Sequence, residues 1–148
     1  MDETEKEQKM RKVLAFKTAS EAVMDSLLRE LRQEYAVTCC IQTSLIDLYK
    51  QKYQDVSFFD IEQEGFYDLS DEVITRLQLE NYDSIWIPST GVRATNFGNI
   101  MSICKRLQYQ KMIFYNCNGE KNIVKKKSVL QEKIIYLYIR MVEKIYKK

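Results

Sequence analysis

Short apolar segments alternate with amphipathic helical patterns along most of this chain of 148 residues, and this alternation constrains the fold more than any other feature. The apolar runs have the length of β-strands. They are Val13–Phe16, Ala36–Gln42, Val56–Ile61, Ser84–Ile87 and Lys111–Tyr115. Helical patterns fill the intervals between them. Such alternation is typical of βαβ units, in which right-handed crossovers join parallel strands.

The predicted fold is therefore α/β: a three-layer, doubly wound, mostly parallel sheet of about five strands, Rossmann-like, in the order 3-2-1-4-5. A chain of 148 residues with 45% hydrophobic residues has the size of one ordinary domain. We assign residues 11–120 to this domain and residues 1–10, which contain no apolar run, to a flexible leader.

Capping patterns in the sequence predict where several helices begin. Thr18 and Glu21 have the S/T-x-x-E spacing of a capping box, which predicts the start of the first helix. Thr43 or Ser44 is expected to cap the second helix, and Ser70 the third.

Composition excludes several classes of protein. The chain has no histidine, which rules out Ser-His and Cys-His catalytic pairs and any histidine-containing metal site. Neither a dinucleotide fingerprint nor a P-loop is present, so we expect no cofactor and no metal. The formal charge of +2 does not favour nucleic-acid binding. The four cysteines lack disulfide-scaffold or CxxC spacing and suit a reducing, cytoplasmic compartment.

The predicted ligand site lies where the sheet order reverses, between the first and fourth strands. Residues 17–20 and 89–98 follow these strands and should face each other across a crevice. The candidate ligand-binding side chains are Thr18, Ser20, Ser89, Thr90, Arg93, Thr95 and Asn96. Hydroxyls, an amide and a guanidinium can bind a sugar, a carboxylate or a phosphate. The same residue types also serve in turns and helix caps, so a purely structural loop is the alternative.

Glu21 is the candidate catalytic base, because it lies close to the predicted crevice. Its position in the predicted capping box gives it an alternative, structural role.

Residues 121–148 are rich in lysine, and Ile123 to Lys148 has the pattern of one basic amphipathic helix. Lys125, Lys126 and Lys127 are the candidate contacts to an anionic membrane surface. Packing of this helix on the sheet is the alternative. The longest apolar stretch, Ile134 to Ile139, is too short to span a bilayer, so we expect a cytoplasmic protein, or one peripheral on the inner face of the membrane.

Four segments resemble the N-terminal, acceptor-side half of GT-B glycosyltransferases of the heptosyltransferase and polysaccharide-assembly type. They are Arg11–Lys17, Leu27–Arg32, Tyr82–Pro88 and Lys111–Asn116. The resemblance implies a glycan or lipid-linked acceptor in the crevice and a base near the first loop. It also implies a nucleotide-sugar-binding partner domain or subunit, since such enzymes bind the donor mainly in a second Rossmann-like domain.

Two other functions remain open. One is a regulatory module that binds a small ligand or nucleotide in the same crevice. The other is a non-catalytic interaction protein that contacts its partner through the basic C-terminal segment.

Overall fold

The sheet of this protein has six strands in the computed structural model, which describes residues 11–66, 69–91, 98–125 and 137–144. The strands are β1 (Lys12–Phe16), β2 (Ala36–Ile41), β3 (Ser57–Asp60), β4 (Tyr82–Pro88), β5 (Tyr109–Tyr115) and β6 (Lys121–Lys125). The helices are α1 (Glu21–Leu31), α2 (Ile46–Lys52), α3 (Asp71–Gln78), α4 (Gly98–Cys104) and α5 (137–144), and a 3-10 turn (Thr43–Leu45) precedes α2.

The strand order is β3-β2-β1-β4-β5-β6, and the first five strands of the chain are parallel. Val13 of β1 aligns with Val37 of β2 on one side and with Ser84 of β4 on the other. The predicted α/β class, Rossmann-like character and order 3-2-1-4-5 are therefore confirmed.

Alternate residues of each central strand supply two separate cores, one on each face of the sheet. Val13 and Ala15 pack with α1 and α2, in a core that also contains Trp86. Leu14 and Phe16 pack with α3 and α4. Because both faces are covered by helices, the parallel strands read in the sequence as continuous apolar runs rather than as alternating ones.

Strand β6 corrects the prediction for the start of the C-terminal segment. Residues 121–125 do not begin a helix, because they pair antiparallel with β5, with Ile123 opposite Ile113. The turn at residues 116–120 closes this hairpin: the backbone N–H of Asn116 donates to the carbonyl oxygen of Glu120 at 3.1 Å. Gly119 has φ +74°, a conformation that glycine adopts without strain.

Helix α5 exposes several large apolar side chains, those of Leu137, Tyr138, Ile139 and Met141. Within the described ranges, no helix has the length and hydropathy that a membrane crossing requires. The predicted leader, residues 1–10, lies outside those ranges.

Candidate ligand-binding crevice

Strands β1 and β4 are neighbours, and the loops after them meet at the carboxyl edge of the sheet. Two hydrogen bonds join these loops. The Thr18 hydroxyl donates to the carbonyl oxygen of Pro88 at 2.6 Å, and the backbone N–H of Ser20 donates to Thr90 Oγ1 at 2.8 Å. The predicted juxtaposition of the two loops is thus present for Thr18, Ser20 and Thr90.

The predicted capping box is wrong. Helix α1 begins at Glu21 with Ser20 as its N-cap, and the Ser20 side chain makes no capping hydrogen bond. Thr18 lies before the helix, and its hydroxyl donates to the carbonyl oxygen of Pro88 across the crevice instead of capping the helix. The S/T-x-x-E spacing of Thr18 and Glu21 is present in the sequence, but the tertiary contact to Pro88 determines the partner of the Thr18 hydroxyl.

A cleft of about 270 Å³ opens beside these loops, between the N-terminal part of α1 and the end of β5. Its walls are formed by Ser20, Ala22, Val23, Ser26, Thr90, Tyr115, Asn116 and Cys117. All eight are uncharged residue types. Two of the predicted site residues, Ser20 and Thr90, therefore line a cavity.

Six of the eight lining residues were not predicted from the sequence: the apolar Ala22 and Val23, and Ser26, Tyr115, Asn116 and Cys117. The oxygen atoms of Ser26 and Tyr115 lie 2.7 Å apart, so one hydroxyl donates to the other. Ser26 lies within α1, and no motif in the sequence marks it as a site residue. Tyr115 is the last residue of β5, the strand next to β4, and Asn116 and Cys117 follow it. The predicted strand order was the available signal that these residues lie at the same edge of the sheet as the loop after β4.

Ser89 is 8% exposed and contributes to the shape of the second loop. Its Oγ accepts a hydrogen bond from the backbone N–H of Gly91 at 3.2 Å, and its own backbone N–H donates to the carbonyl oxygen of Tyr115 at 2.7 Å. Ser89 thus holds the loop against the end of β5. It is not among the residues that line the cleft.

Glu21, the predicted base, forms an ion pair on the surface. Its Oε1 lies 2.8 Å from Lys52 Nζ of α2, and its side chain is 60% exposed. Lys52 also contacts Asp25 Oδ2 at 3.2 Å, and the Tyr53 hydroxyl donates to the other oxygen of Asp25. Glu21 does not line the cleft, although it begins the helix that forms one of its walls.

Contacts in this cluster shift the pKa values of Asp25 and Tyr53. Burial opposes ionisation of Asp25, but the hydrogen bonds from Tyr53 and Lys52 outweigh it, so the pKa of Asp25 lies below its ordinary value. Burial and the hydrogen bond to Asp25 together raise the pKa of Tyr53 to about 12. The cluster connects α1 to α2 at the side of the crevice.

Several predicted site residues lie outside the described ranges: Arg93, Thr95, Asn96, Lys126 and Lys127. Lys125 is the last residue of β6.

No family model, curated protein or solved structure matches this chain. The sheet order and the helices show an α/β domain with a Rossmann-like, mostly parallel sheet. The resemblance to glycosyltransferases stays a prediction.

Proposed function

We propose that this chain is the acceptor-side binding domain of a glycosyltransferase-like protein that acts in glycan or polysaccharide assembly. The acceptor, a glycan or a lipid-linked sugar, binds in the crevice after β1 and β4. A nucleotide-sugar-binding partner domain or subunit supplies the donor, and group transfer requires both parts.

One observation carries this proposal: the uncharged, hydroxyl-rich cleft lies at the reversal of strand order. Ligands of open α/β sheets bind at this position, outside the carboxyl ends of the strands. Ser20 and Thr90 contribute hydroxyls from the two switch-point loops, and Ser26 and Tyr115 add two more. Hydroxyl groups both donate and accept hydrogen bonds, which suits the hydroxyls of a sugar.

The cleft can be tested by filling it. Cys117 is exposed and lines the cleft, so Cys117→Trp should occupy the space while Cys117→Ser should leave it open. In a glycan-array screen with the full chain, we expect the wild type and Cys117→Ser to bind the same glycans and Cys117→Trp to lose at least tenfold in affinity. Equal binding by Cys117→Trp, with an unchanged circular dichroism spectrum, would place the ligand elsewhere.

Arg93→Ala tests the second loop. The loop is part of the proposed site, so the substitution should weaken acceptor binding. Binding equal to that of the wild type would remove Arg93 from the site.

A second candidate function is a non-catalytic module that binds a small ligand in the same cleft. The position of Glu21 favours it, because its carboxylate pairs with Lys52 at the surface and does not line the cleft. Glu21→Gln distinguishes the two functions once the partner domain is supplied. A catalytic base would cost about a hundredfold or more in kcat, whereas a structural ion pair would leave kcat nearly unchanged.

A further inference from the structure

We infer that helix α5 is an interfacial membrane helix: it lies in the plane of an anionic phospholipid bilayer, with its apolar face among the acyl chains. The inference goes beyond the proposed function, because it concerns the surface that holds the chain and not the ligand of the crevice. Three features carry it: the exposed apolar face of α5, the concentration of such side chains at this end of the chain, and the charge of the C-terminal segment.

The apolar side chains of α5 form one continuous face. At about 3.6 residues per turn, positions 137–139, 141 and 142 lie on one side of the helix, and Arg140, Glu143 and Lys144 lie on the other. Four of the apolar side chains are more than half exposed: Leu137 61%, Tyr138 67%, Ile139 51% and Met141 62%. The structure therefore presents an amphipathic helix whose apolar face is open to contact.

Exposed apolar side chains are concentrated at this end of the chain. Of the eight large apolar side chains that are exposed among the described residues, six lie between residues 123 and 141. The other two, Leu48 and Leu79, lie apart from each other, on α2 and at the end of α3. A cluster of exposed apolar side chains marks an interaction site, whereas isolated ones are ordinary.

The distribution of charge shows that the partner is anionic. Residues 121–148 contain nine lysine and arginine residues and two glutamates, a net charge of +7. Residues 1–120 contain 14 basic and 19 acidic residues, a net charge of −5, so the formal total of +2 conceals a strong separation. An anionic surface attracts the C-terminal segment and repels the rest of the chain, which orients the domain away from that surface.

The width of the apolar face favours a bilayer over a protein groove. It covers about half of the helix circumference, which is wider than the stripe of roughly 100° that packing on one protein surface needs. A bilayer covers such a face without shape complementarity, and its headgroups attract the basic side chains beside it. Arg140 and Lys144 lie on the polar side of α5, from which their long side chains reach the headgroup phosphates.

Vesicle partition tests the inference with the full chain. Cosedimentation would compare vesicles of phosphatidylcholine alone with vesicles of phosphatidylcholine and an equal amount of phosphatidylserine. We expect the wild type to bind mainly the second kind. Leu137→Gln should lower this partition by roughly tenfold, because the burial of one leucine side chain is lost. Adding Met141→Gln should lower it further, and glutamine keeps the helix propensity of both positions high.

Leu79→Gln is the matched control. Leu79 is 79% exposed and lies in the part of the chain whose net charge is negative, so its replacement should leave partition unchanged. The circular dichroism spectra of the variants without vesicles should equal that of the wild type, because exposed side chains contribute little to the fold.

Three results would overturn the inference. The wild type could fail to bind the anionic vesicles at low salt. The double variant could bind them as well as the wild type does, which would leave only electrostatic adsorption through the lysines. The double substitution could instead abolish a dimer seen by ultracentrifugation without vesicles and leave vesicle binding unchanged, which would make this face an interface between copies. The crevice proposal stands or falls separately, because glycan binding measures it.

Discussion

At the scale of single residues, the Thr18 hydroxyl is the clearest structural link between the two crevice loops. It bonds to the carbonyl oxygen of Pro88, 70 residues away in sequence. Thr18→Val keeps the side-chain shape but removes the donor and leaves a buried carbonyl with fewer partners. We expect a loss of about 1 to 2 kcal/mol in the free energy of unfolding, measured by urea titration. Thr75→Val, at an exposed helical position, should change it by less than about 0.5 kcal/mol.

If Thr18→Val were as stable as Thr75→Val, the link between the loops would contribute nothing to the fold. The loops would then have to be held by other contacts, such as the bond between Ser20 and Thr90.

The ionisation of Asp25 makes the stability of the fold depend on pH. Because its pKa is lowered in the folded protein, its contribution to stability is fully present above the ordinary aspartate pKa of about 3.9 and is lost as the pH falls through the folded value. Tyr53→Phe removes a hydrogen bond to this carboxylate, so the pKa of Asp25 should rise and acid unfolding should begin at higher pH. Carboxyl NMR titration would measure the pKa directly. An unchanged Asp25 titration in Tyr53→Phe would contradict the hydrogen bond.

The four cysteines should differ sharply in reactivity. Burial raises the pKa of Cys39 to about 12 and that of Cys40 well above its usual value, and Cys104 is also buried. A thiol reagent such as DTNB reacts with thiolate, so the folded protein at pH 8 should react at one thiol, Cys117, and the unfolded protein at four. Rapid reaction of a second thiol before unfolding would contradict the described packing.

At the scale of elements, the central strands and the edge strand should differ in their contribution to stability. Ile85 of β4 is 0% exposed, whereas Ile123 of β6 is 54% exposed. Ile85→Ala should cost about 2 to 5 kcal/mol in the free energy of unfolding, and Ile123→Ala less than about 1 kcal/mol. Chemical denaturation of the two matched variants measures both values. Equal losses would mean that β6 is part of the core.

The same elements show how far the sequence predicts this structure. The four crossovers between parallel strands were predictable because each apolar run has the short length of a buried strand and the runs alternate with helical patterns. Ser70 was predicted as a cap and accepts a hydrogen bond from the backbone N–H of Val73. Strand β6 was missed because its two apolar residues, Ile123 and Val124, lie among lysines, which also suit a helix. Only the turn at residues 116–120 signalled a hairpin.

Long-range contacts explain why the hydrogen-bond partners of several polar side chains could not be predicted. Thr43 and Ser44 were expected to cap a helix, yet their hydroxyls donate to Asp60 and Glu64, and α2 begins at Ile46. Likewise Ser26 and Tyr115 are 89 residues apart and meet only in the folded chain. Hydrophobic periodicity predicts the helices and strands, but it does not show which of their polar side chains bond to one another.

At the scale of the whole molecule, the lysine-rich segment after the turn remains the candidate for a membrane contact. Replacing Lys125, Lys126 and Lys127 by glutamate should lower partition onto vesicles containing phosphatidylserine, because each basic residue near an anionic surface contributes about 1 kcal/mol. Cosedimentation at low and high salt measures the effect. The control is Lys50→Glu, which reverses the charge of an exposed lysine on α2. If the triple substitution left partition unaltered, these lysines would not be membrane contacts.

The central claim is that the ligand binds at the carboxyl edge of β1 and β4, and an amide chemical-shift map tests it most directly. The full chain would be titrated with methyl hexopyranosides, and shifts would be recorded for every assigned amide. Our account predicts the largest changes at residues 18–20, 89–91 and 116–117. Changes centred on Lys12, Glu80 and Asn81, at the amino edge of the sheet, or an absence of changes at saturating sugar, would contradict it.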